Sequence, residues 1–383
     1  MRIRLGRIIA ASMVLPIAMV AGVVGVSVTS AGAAATKSYT VMVEGGFTGA
    51  SGYTVPEIVP AVKAAYAGVG GVTIVTCDDQ FTSSGDLNCQ ESAVKQHVAV
   101  VIAGFGLLAG DESVLTKAGI PVIDDTDTTS PNSFAVNSGN GEYSGIGVGL
   151  AKTGCRRLGI LELDGTATLA DAIVAGAKWQ SVTQSAIPAD APDLTSSIAK
   201  LAEAKVQCIA LSVEPNTVIQ AMTAIKQDNL KVKVAMVSAI LTSQVLSSLG
   251  SEANGLISIE SEIDAGAKAP VITTITKEMK AINPSAPVTA AALVAWASAK
   301  LVQEAAQTVK GSVTPASMLK AMNGLRNAST DGVIPPFSAI PLKTPAYTRF
   351  FNHYAIDYVI ENGRPKALTG FYDLTSALSS KSS

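Results

Sequence analysis

Residues 39–49 read YTVMVEGGFTG, an apolar strand that ends in a glycine-rich turn, and similar units recur along the chain. Short apolar runs follow at Val72–Thr76, Val98–Ala103 and Pro121–Asp124, and a second series comprises Leu158–Leu163, Cys208–Val213, Val232–Val237 and Leu256–Glu260. Segments with helical periodicity lie between them, among them Val55–Ala67, Ser92–Gln96, Leu169–Trp179, Leu194–Ala204 and Val218–Gln227. Apolar strands that alternate with helices predict an α/β fold with parallel sheets buried on both faces. Because there are two series, we expect two doubly wound lobes; one large α/β enzyme domain is the alternative.

The first 35 residues have the order of a secretory signal peptide. Arg2, Arg4 and Arg7 precede an apolar run from Ile8 to Val28, and small residues follow at positions 30–35. This order predicts cleavage and export to a periplasmic, extracellular or cell-surface location. The apolar run could span a bilayer if it stayed uncut, which leaves a retained anchor as the alternative. No second long apolar run follows, and we expect no stable membrane insertion after cleavage.

Charge and length limit the classes of function. Three of the 28 basic residues lie in the signal, which leaves 25 against 30 acidic residues and a net charge near −5. This balance argues against nucleic acid or an anionic membrane as the partner. A mature chain of this length exceeds one ordinary hydrophobic core, and a division into two lobes is expected.

Four cysteines follow the signal, and in an oxidising compartment two disulfides are the default. Cys77 ends a predicted strand and Cys89 opens the next predicted helix, whereas Cys155 and Cys208 each lie near the start of a strand. Four cysteines allow three pairings, and we favour Cys77 with Cys89 and Cys155 with Cys208. We expect no metal site, because the chain has no CxxC pair and only two histidines.

The last third of the chain adds helices before a final strand. Helical patterns cover Val271–Ile282, Thr289–Val309 and Thr314–Asn323, and these helices need a sheet to cover. Residues 350–361 alternate like a strand or hairpin, with Asn362 and Gly363 as a turn. We expect residues 377–383 to form a disordered tail.

The order of these elements, together with several local strings, resembles the type I periplasmic solute-binding proteins, in particular the branched-chain amino-acid-binding (Leu/Ile/Val-binding) family of ABC importers. The matching strings are Val41–Gly49, Val72–Asp79, Val100–Gly106, Ala118–Ile123, Leu158–Leu161, Pro335–Phe337 and Tyr347–Asn352. The resemblance spans residues 38–374, and the order of the strings is its specific part. It implies a periplasmic binding protein type I fold, in which the chain crosses three times between two lobes. Lobe 1 would comprise residues 38–136 plus 262–328, and lobe 2 residues 137–261 plus 329–376, joined by a three-segment hinge.

In open parallel sheets, ligands bind beyond the carboxyl ends of the strands. The segments just after each strand therefore contain the candidate ligand-binding residues. They are Gly46, Phe47, Thr48, Gly104, Phe105, Gly106, Asp125 and Thr126 in lobe 1, and Gly165, Thr166, Ser212, Glu214 and Ser238 in lobe 2. Tyr143, near the first crossing, could add a ring to the cleft wall. The alternative is a turn for each glycine, a helix cap for Glu214 and the acids after the fourth strand, and a surface position for Tyr143.

One departure from the family bears on the ligand. Amino-acid binders of this family place an acid after the third strand of lobe 2 to hold the α-ammonium group, whereas this chain has Ser238, Ala239 and Ile240 there. An amide, a short organic acid or an aromatic acid therefore fits at least as well as a leucine-like amino acid.

The sequence indicates binding rather than catalysis. His97 and His353 are expected to be packed or surface residues, and the chain has neither a GxSxG nucleophile elbow nor a P-loop lysine. We predict a monomeric, cofactor-free protein that captures a small polar or amphipathic molecule and delivers it to an ABC importer permease. A receptor subunit that reports to a membrane signalling protein is the first alternative, and an exported hydrolase the second.

Overall fold

The computed structural model describes residues 37–48, 54–104, 112–124, 128–137, 140–188 and 191–379. The predicted signal at residues 1–35 lies outside the described residues. The strands are β1 Tyr39–Gly45, β2 Val72–Asp78, β3 Val100–Ala103, β4 Val122–Ile123, β5 Ser133–Phe134, β6 Arg157–Leu163, β7 Ser181–Ile187, β8 Cys208–Ser212, β9 Lys233–Val237, β10 Ile257–Glu260, β11 Tyr354–Glu361, β12 Arg364–Ala367 and β13 Tyr372–Asp373. The α-helices are α1 Ile58–Ala65, α2 Ser83–Lys95, α3 Ser113–Ala118, α4 Asn140–Lys152, α5 Ala167–Ala175, α6 Thr195–Glu203, α7 Pro215–Gln227, α8 Ser243–Leu249, α9 Pro270–Ile282, α10 Ala290–Thr308, α11 Pro315–Asn323 and α12 Thr375–Ser379.

Sheet 1 is parallel, with strand order β2-β1-β3-β4-β5. Successive side chains of β1 enter two different apolar clusters, because strand residues alternate between the faces of a sheet. Val41 and Val43 pack with α1, α9, α10 and α11, whereas Met42 packs with residues of α2 and α3 on the other face. Both faces are therefore covered, which explains the continuous apolar sequence of this strand.

The helices from the last third of the chain return to sheet 1. Trp296 of α10 is fully buried in the cluster beneath this sheet, and its indole N–H donates to Glu278 of α9 at 3.0 Å. Thr289 caps α10 by accepting from the Ala292 amide. The helices that the sequence left without a sheet therefore cover the one built by the N-terminal strands.

Sheet 2 follows the order β12-β11-β10-β9-β8-β6-β7, with β13 paired to β11. Strands β6 to β10 pair in parallel, and β11 joins antiparallel to β10. Asn362 and Gly363 have φ values of +53° and +71° and turn β11 into β12. This geometry suits Asn-Gly in a two-residue hairpin, and it confirms the predicted final hairpin.

Both predicted disulfides are present, Cys77–Cys89 and Cys155–Cys208. The second joins the start of β8 to the residues before β6, and these strands are neighbours with Leu158 opposite Cys208. For the first, one detail of the prediction is wrong. Cys89 lies inside α2 rather than at its start, because Thr82 caps the helix by accepting from the Gly85 amide and begins it earlier than expected.

The C-terminus requires a second correction. The predicted disordered tail begins at residue 377, yet Ala377 and Leu378 are buried in α12. Leu378 packs in the same apolar cluster as Leu374, and this packing orders the segment. Residues 380–383 lie outside the described residues. Of the helices in the described ranges, none is long and apolar enough to cross a bilayer.

Candidate functional site

Asp78 organises the loop that follows β1. Its Oδ1 atom accepts hydrogen bonds from the amides of Phe47 at 2.9 Å, Thr48 at 3.3 Å and Gln80 at 3.1 Å, and its Oδ2 atom accepts from the Thr48 hydroxyl at 2.5 Å. Partial burial opposes ionisation, but these donors outweigh it and hold the pKa of Asp78 below its usual value. The loop that carries three predicted site residues, Gly46, Phe47 and Thr48, is therefore fixed by a residue of the neighbouring strand β2.

Packing inside the chain accounts for two of the predicted glycines. A Cβ atom at Gly46 would collide with the ring of Phe81, and one at Gly104 would collide with the Ile58 side chain at the start of α1. Both positions follow the carboxyl end of a strand, as expected, but side chains of the protein itself already occupy the space that a Cβ atom would take there. A role for Gly46, Phe47, Thr48 and Gly104 in ligand binding stays a prediction.

Four predicted residues of lobe 1, Phe105, Gly106, Asp125 and Thr126, lie outside the described residues. Their neighbour Asp124 is buried with φ at +68°, and its Oδ1 atom accepts from the Asn137 amide at 3.0 Å. This contact places the acid after β4 against the segment that leaves sheet 1.

Glu44, next to last in β1, is a buried carboxyl group that the sequence analysis did not single out. Its exposed fraction is 5%. Burial raises its pKa well above the usual value, and Asp86, Glu112 and Asp79 add to this effect. A side-chain hydrogen bond with Asp86 also favours the protonated form of Glu44.

Two of the predicted site residues, Tyr143 and Ser212, lie close together at sheet 2. Ser212 ends β8, and Tyr143 lies in the first turn of α4. Burial raises the pKa of Tyr143, the charge of Glu142 adds to this, and the neighbouring Ser212 hydroxyl opposes it. Ser212 is 3% exposed, and its Oγ atom has no partner of normal hydrogen-bond geometry among the described residues.

Glu162 lies beside this pair and was missed by the sequence analysis. It faces Ser212 across the β6–β8 ladder. Burial raises the pKa of Glu162 most, and the negative charges of Asp171 and Asp164 raise it further. A signal was available, because Glu162 is the one charged residue in the otherwise apolar run Leu158–Leu163.

The remaining predicted residues of lobe 2 lie in turns or at helix starts. Gly165 has φ at +88° in the turn after β6, and the Thr166 hydroxyl donates to the Leu163 carbonyl at 2.8 Å. Glu214 is exposed at the N-cap position of α7, although its side chain makes no capping hydrogen bond. Ser238 is partly exposed in a single 3₁₀ turn after β9. Their binding roles stay predictions.

The residues that leave β10 carry a second acidic group. Glu260 and Glu262 are almost fully buried, and the Ser261 hydroxyl donates to Glu262 at 2.7 Å. Burial raises the pKa of Glu262 to about 7, against the opposing effect of the Ser261 hydrogen bond. Burial also raises the pKa of Glu260 well above its usual value, and the charge of Asp264 is the next-largest cause. Among the described residues, no cluster of His, Cys, Asp and Glu could hold a metal ion.

Asn352 joins the three segments that run between the sheets. Its Nδ2 atom donates to the carbonyl of Val136 at 2.7 Å, two residues beyond β5, and to that of Ser261 at 2.9 Å, directly after β10. Asn352 is 3% exposed and itself belongs to the third segment. The carboxyl ends of β5 in sheet 1 and β10 in sheet 2 therefore meet at one side chain.

A cavity of about 210 Å³ lies along α5. Its lining includes Thr168, Asp171 and Ala175 of α5, Ser144 of α4 and Leu378 of α12. The cavity borders the surroundings of Glu162, because Asp171, one of its lining residues, is also a charge that raises the pKa of Glu162.

Comparisons with known proteins agree with this architecture. A family model described as periplasmic binding protein matches residues 39–345. A fatty acid ABC transporter substrate-binding protein from Thermomonospora curvata is similar in structure, with a TM-score of 0.70, 15% identity, and coverage of 90% of this chain and 95% of that one. A leucine binding protein from Thermotoga maritima gives a TM-score of 0.65 at 12% identity, with 88% and 99% covered. An ABC transporter solute binding protein from R. palustris in complex with benzoate gives 0.63 at 16% identity, with 86% and 95% covered. No curated protein sequence matches the chain.

Proposed function

This chain belongs to the periplasmic binding protein family, and from that premise we propose that it captures a small polar or amphipathic solute between two lobes and delivers it to an ABC importer permease. The ligand would be an amino acid, an amide or an organic acid. The observation that supports the proposal most is the meeting of the two sheets at Asn352, because it brings the carboxyl ends of β5 in sheet 1 and β10 in sheet 2 to one side chain. Ligands of open α/β sheets bind at such ends.

We propose the lobes in the form that the sequence analysis gave, with one change. The sequence assigned residues 38–136 plus 262–328 to lobe 1, and residues 137–261 plus 329–376 to lobe 2. Val333, Phe337 and Ala339 nevertheless pack in the cluster of sheet 1, whereas Leu342 and Tyr347 pack against sheet 2. This packing supports a third crossing after Ala339.

Closure of such lobes would link affinity to delivery. A solute that contacts both lobes favours the closed form, since it gains contacts there that the open form lacks. The closed surface would then be read by the permease. We propose that the protein acts outside the cytoplasm as a monomer and without catalysis.

The environment of His353, one of its two histidines, supports a packed role for this residue. Its ring stacks on Tyr354, and burial lowers its pKa, against the opposing charge of Asp373.

A thermal-shift screen of the mature protein tests this function. Amino acids, their amides and carboxylic acids would be added one at a time, each in large excess. A solute at 100 times its dissociation constant stabilises the native state by about 2.7 kcal/mol, which raises the melting temperature by several degrees. A flat response to the whole screen, together with measurable hydrolase turnover, would refute the proposal.

A further inference from the structure

Glu162 has a carboxyl oxygen that is buried and has no hydrogen-bond partner among the described residues. Its exposed fraction is 5%, and its Oε2 atom is enclosed with no hydrogen-bond partner among the described residues. The two charges that act on it, Asp171 and Asp164, are both negative. An isolated buried carboxylate is among the costliest groups a protein can contain, and an unpaired one calls for an explanation.

The neighbouring strand β8 has a second buried polar atom without a partner, at the position directly opposite Glu162. Ser212 lies opposite Glu162 in the β6–β8 register, and its buried Oγ atom also has no partner of normal geometry in the described part of the chain. Residues opposite each other on paired strands point to the same face of a sheet. Two unsatisfied polar groups therefore share one face at the carboxyl ends of adjacent strands, with the hydroxyl of Tyr143 close to Ser212.

We propose that Glu162 and Ser212 form the sheet-2 half of the solute site and accept hydrogen bonds from an N–H or O–H group of the solute. This inference rests on the proposed function and narrows it. An ionised carboxylate can only accept hydrogen bonds, whereas a serine hydroxyl can accept or donate. The group that meets this pair is therefore an amine, an amide or a hydroxyl, and a plain carboxylate is excluded from that position by charge.

Solutes matched in carbon skeleton test the proposal. L-leucine, 4-methylpentanamide and 4-methylpentanoate form one series, and benzamide and benzoate a second. Thermal shift followed by calorimetry at pH 8 would use the wild type, Glu162→Gln and the control Glu203→Gln, which alters an exposed glutamate at the end of α6. We expect the amides or the amino acid to bind and the plain acids not to bind. Glu162→Gln should weaken binding about tenfold or more, since hydrogen bonds to a charged group are the stronger ones, while Glu203→Gln should leave it unchanged.

The dependence on pH gives a second readout. Burial and the charges of Asp171 in α5 and Asp164 after β6 raise the pKa of Glu162, so protonation removes its negative charge at a higher pH than in an exposed glutamate. Affinity for a donor-bearing solute should therefore be lower at pH 5 than at pH 8. Binding of benzoate or 4-methylpentanoate that strengthens over the same interval would show the opposite role for Glu162. That result would overturn this inference and leave solute binding intact.

The ligand-free protein supplies a test that needs no solute. Replacement of an unpaired carboxylate by a neutral amide should raise the melting temperature of Glu162→Gln at pH 8, whereas a lower melting temperature would show that the carboxylate has a structural partner and would overturn the inference. If Glu162→Gln does not fold, Ser212→Ala provides the same test. It should melt within about a degree of the wild type, since its hydroxyl makes no hydrogen bond of normal geometry among the described residues, and it should bind the amides more weakly. Failure of the wild type to respond to any solute would count against the proposed function, whatever the variants do.

Discussion

Among single residues, those at the candidate site differ between the two sheets in their hydrogen bonds, which are made in sheet 1 and missing in sheet 2. In sheet 1, Asp78 satisfies the loop at Phe47 and Thr48 with its own carboxylate. In sheet 2, the buried oxygens of Glu162 and Ser212 have no such partner among the described residues. A satisfied loop is rigid before a solute arrives, whereas unsatisfied groups gain most from one.

Replacement of Asp78 by Asn should loosen the loop after β1. Asn keeps the shape but loses the charge that accepts four hydrogen bonds, and we expect a loss of about 1 kcal/mol in the free energy of unfolding at pH 7. The pKa of Asp78 is lowered in the folded state, which means that its contribution is present above the unfolded pKa of about 3.9 and disappears as the pH falls through the lower folded value.

Urea unfolding at pH 7 and at about pH 2.5 measures this difference, and hydrogen exchange at the Phe47 and Thr48 amides reports the loop directly. Asp228→Asn, at an exposed position after α7, is the matched control. Equal unfolding curves for the two variants at pH 7 would contradict the assigned role of Asp78.

Among the secondary-structure elements, the strands that the sequence predicted correctly are those with continuous apolar sequences. The central strands β1, β3, β6 and β8 are apolar because both faces are covered, and each lies where the pattern placed it. The edge strand β7 was missed, because it pairs with β6 alone and is mostly exposed in its first half. An edge strand needs no continuous apolar run.

Helix α4 was missed for a different reason. Its sequence NGEYSGIGVGLAK contains four glycines, each of which disfavours a helix by about 1 kcal/mol relative to alanine. Packing overrides this propensity. Gly145 lies against Ile259 and Ala355, and Gly149 lies against the carboxylate of Asp357. Such contacts involve residues more than a hundred positions away, and a local sequence pattern cannot predict them.

For the candidate site, too, a local rule identified some residues and missed others. The rule that ligands bind at strand ends identified Tyr143 and Ser212, which the structure brings together. It did not identify Glu162, because the rule directed attention to loops after the strands and Glu162 lies within one. A charged residue on the buried face of a strand is the better signal, and it also applies to Glu44 of β1.

Gly147→Ala tests whether packing sustains α4. A Cβ atom there would collide with the Ile173 carbonyl of α5 and approach Gly176. Alanine would favour an isolated helix, but overpacking against backbone costs about 1–3 kcal/mol, and we expect a net loss of about 1–2 kcal/mol in stability. The control Gly370→Ala adds a methyl group in open space and should change stability by less than about 0.5 kcal/mol. Calorimetric melting decides, and a Gly147→Ala protein that melts above the wild type would contradict close packing of the two helices.

At the scale of the whole molecule, the connection between the sheets is polar and buried. Asn352 binds two backbone carbonyls, and nearby Arg349 donates to the Ser133 carbonyl at 2.9 Å and to Asn323 at 2.8 Å. The guanidinium lies over the rings of both Phe134 and Phe351, and burial lowers its pKa to about 10. Directional hydrogen bonds allow small rotations while they fix the crossing point, which suits a hinge better than apolar packing alone.

Asn352→Leu should therefore damage stability and lobe geometry together. Leucine has a similar volume but no donor, and it would leave the buried carbonyls of Val136 and Ser261 unpaired. Each unpaired buried group costs about 1–3 kcal/mol, from which we expect a total loss of about 2–4 kcal/mol in the free energy of unfolding. Small-angle scattering of the ligand-free protein should also show a wider distribution of dimensions than in the wild type.

The control Asn216→Asp changes an exposed residue in the first turn of α7, where a negative charge is favourable at a helix N-terminus, and it should leave both measurements unchanged. If Asn352→Leu unfolds and scatters like this control, the two sheets must be held together by the surrounding apolar clusters, and the hinge would have to be sought away from Asn352.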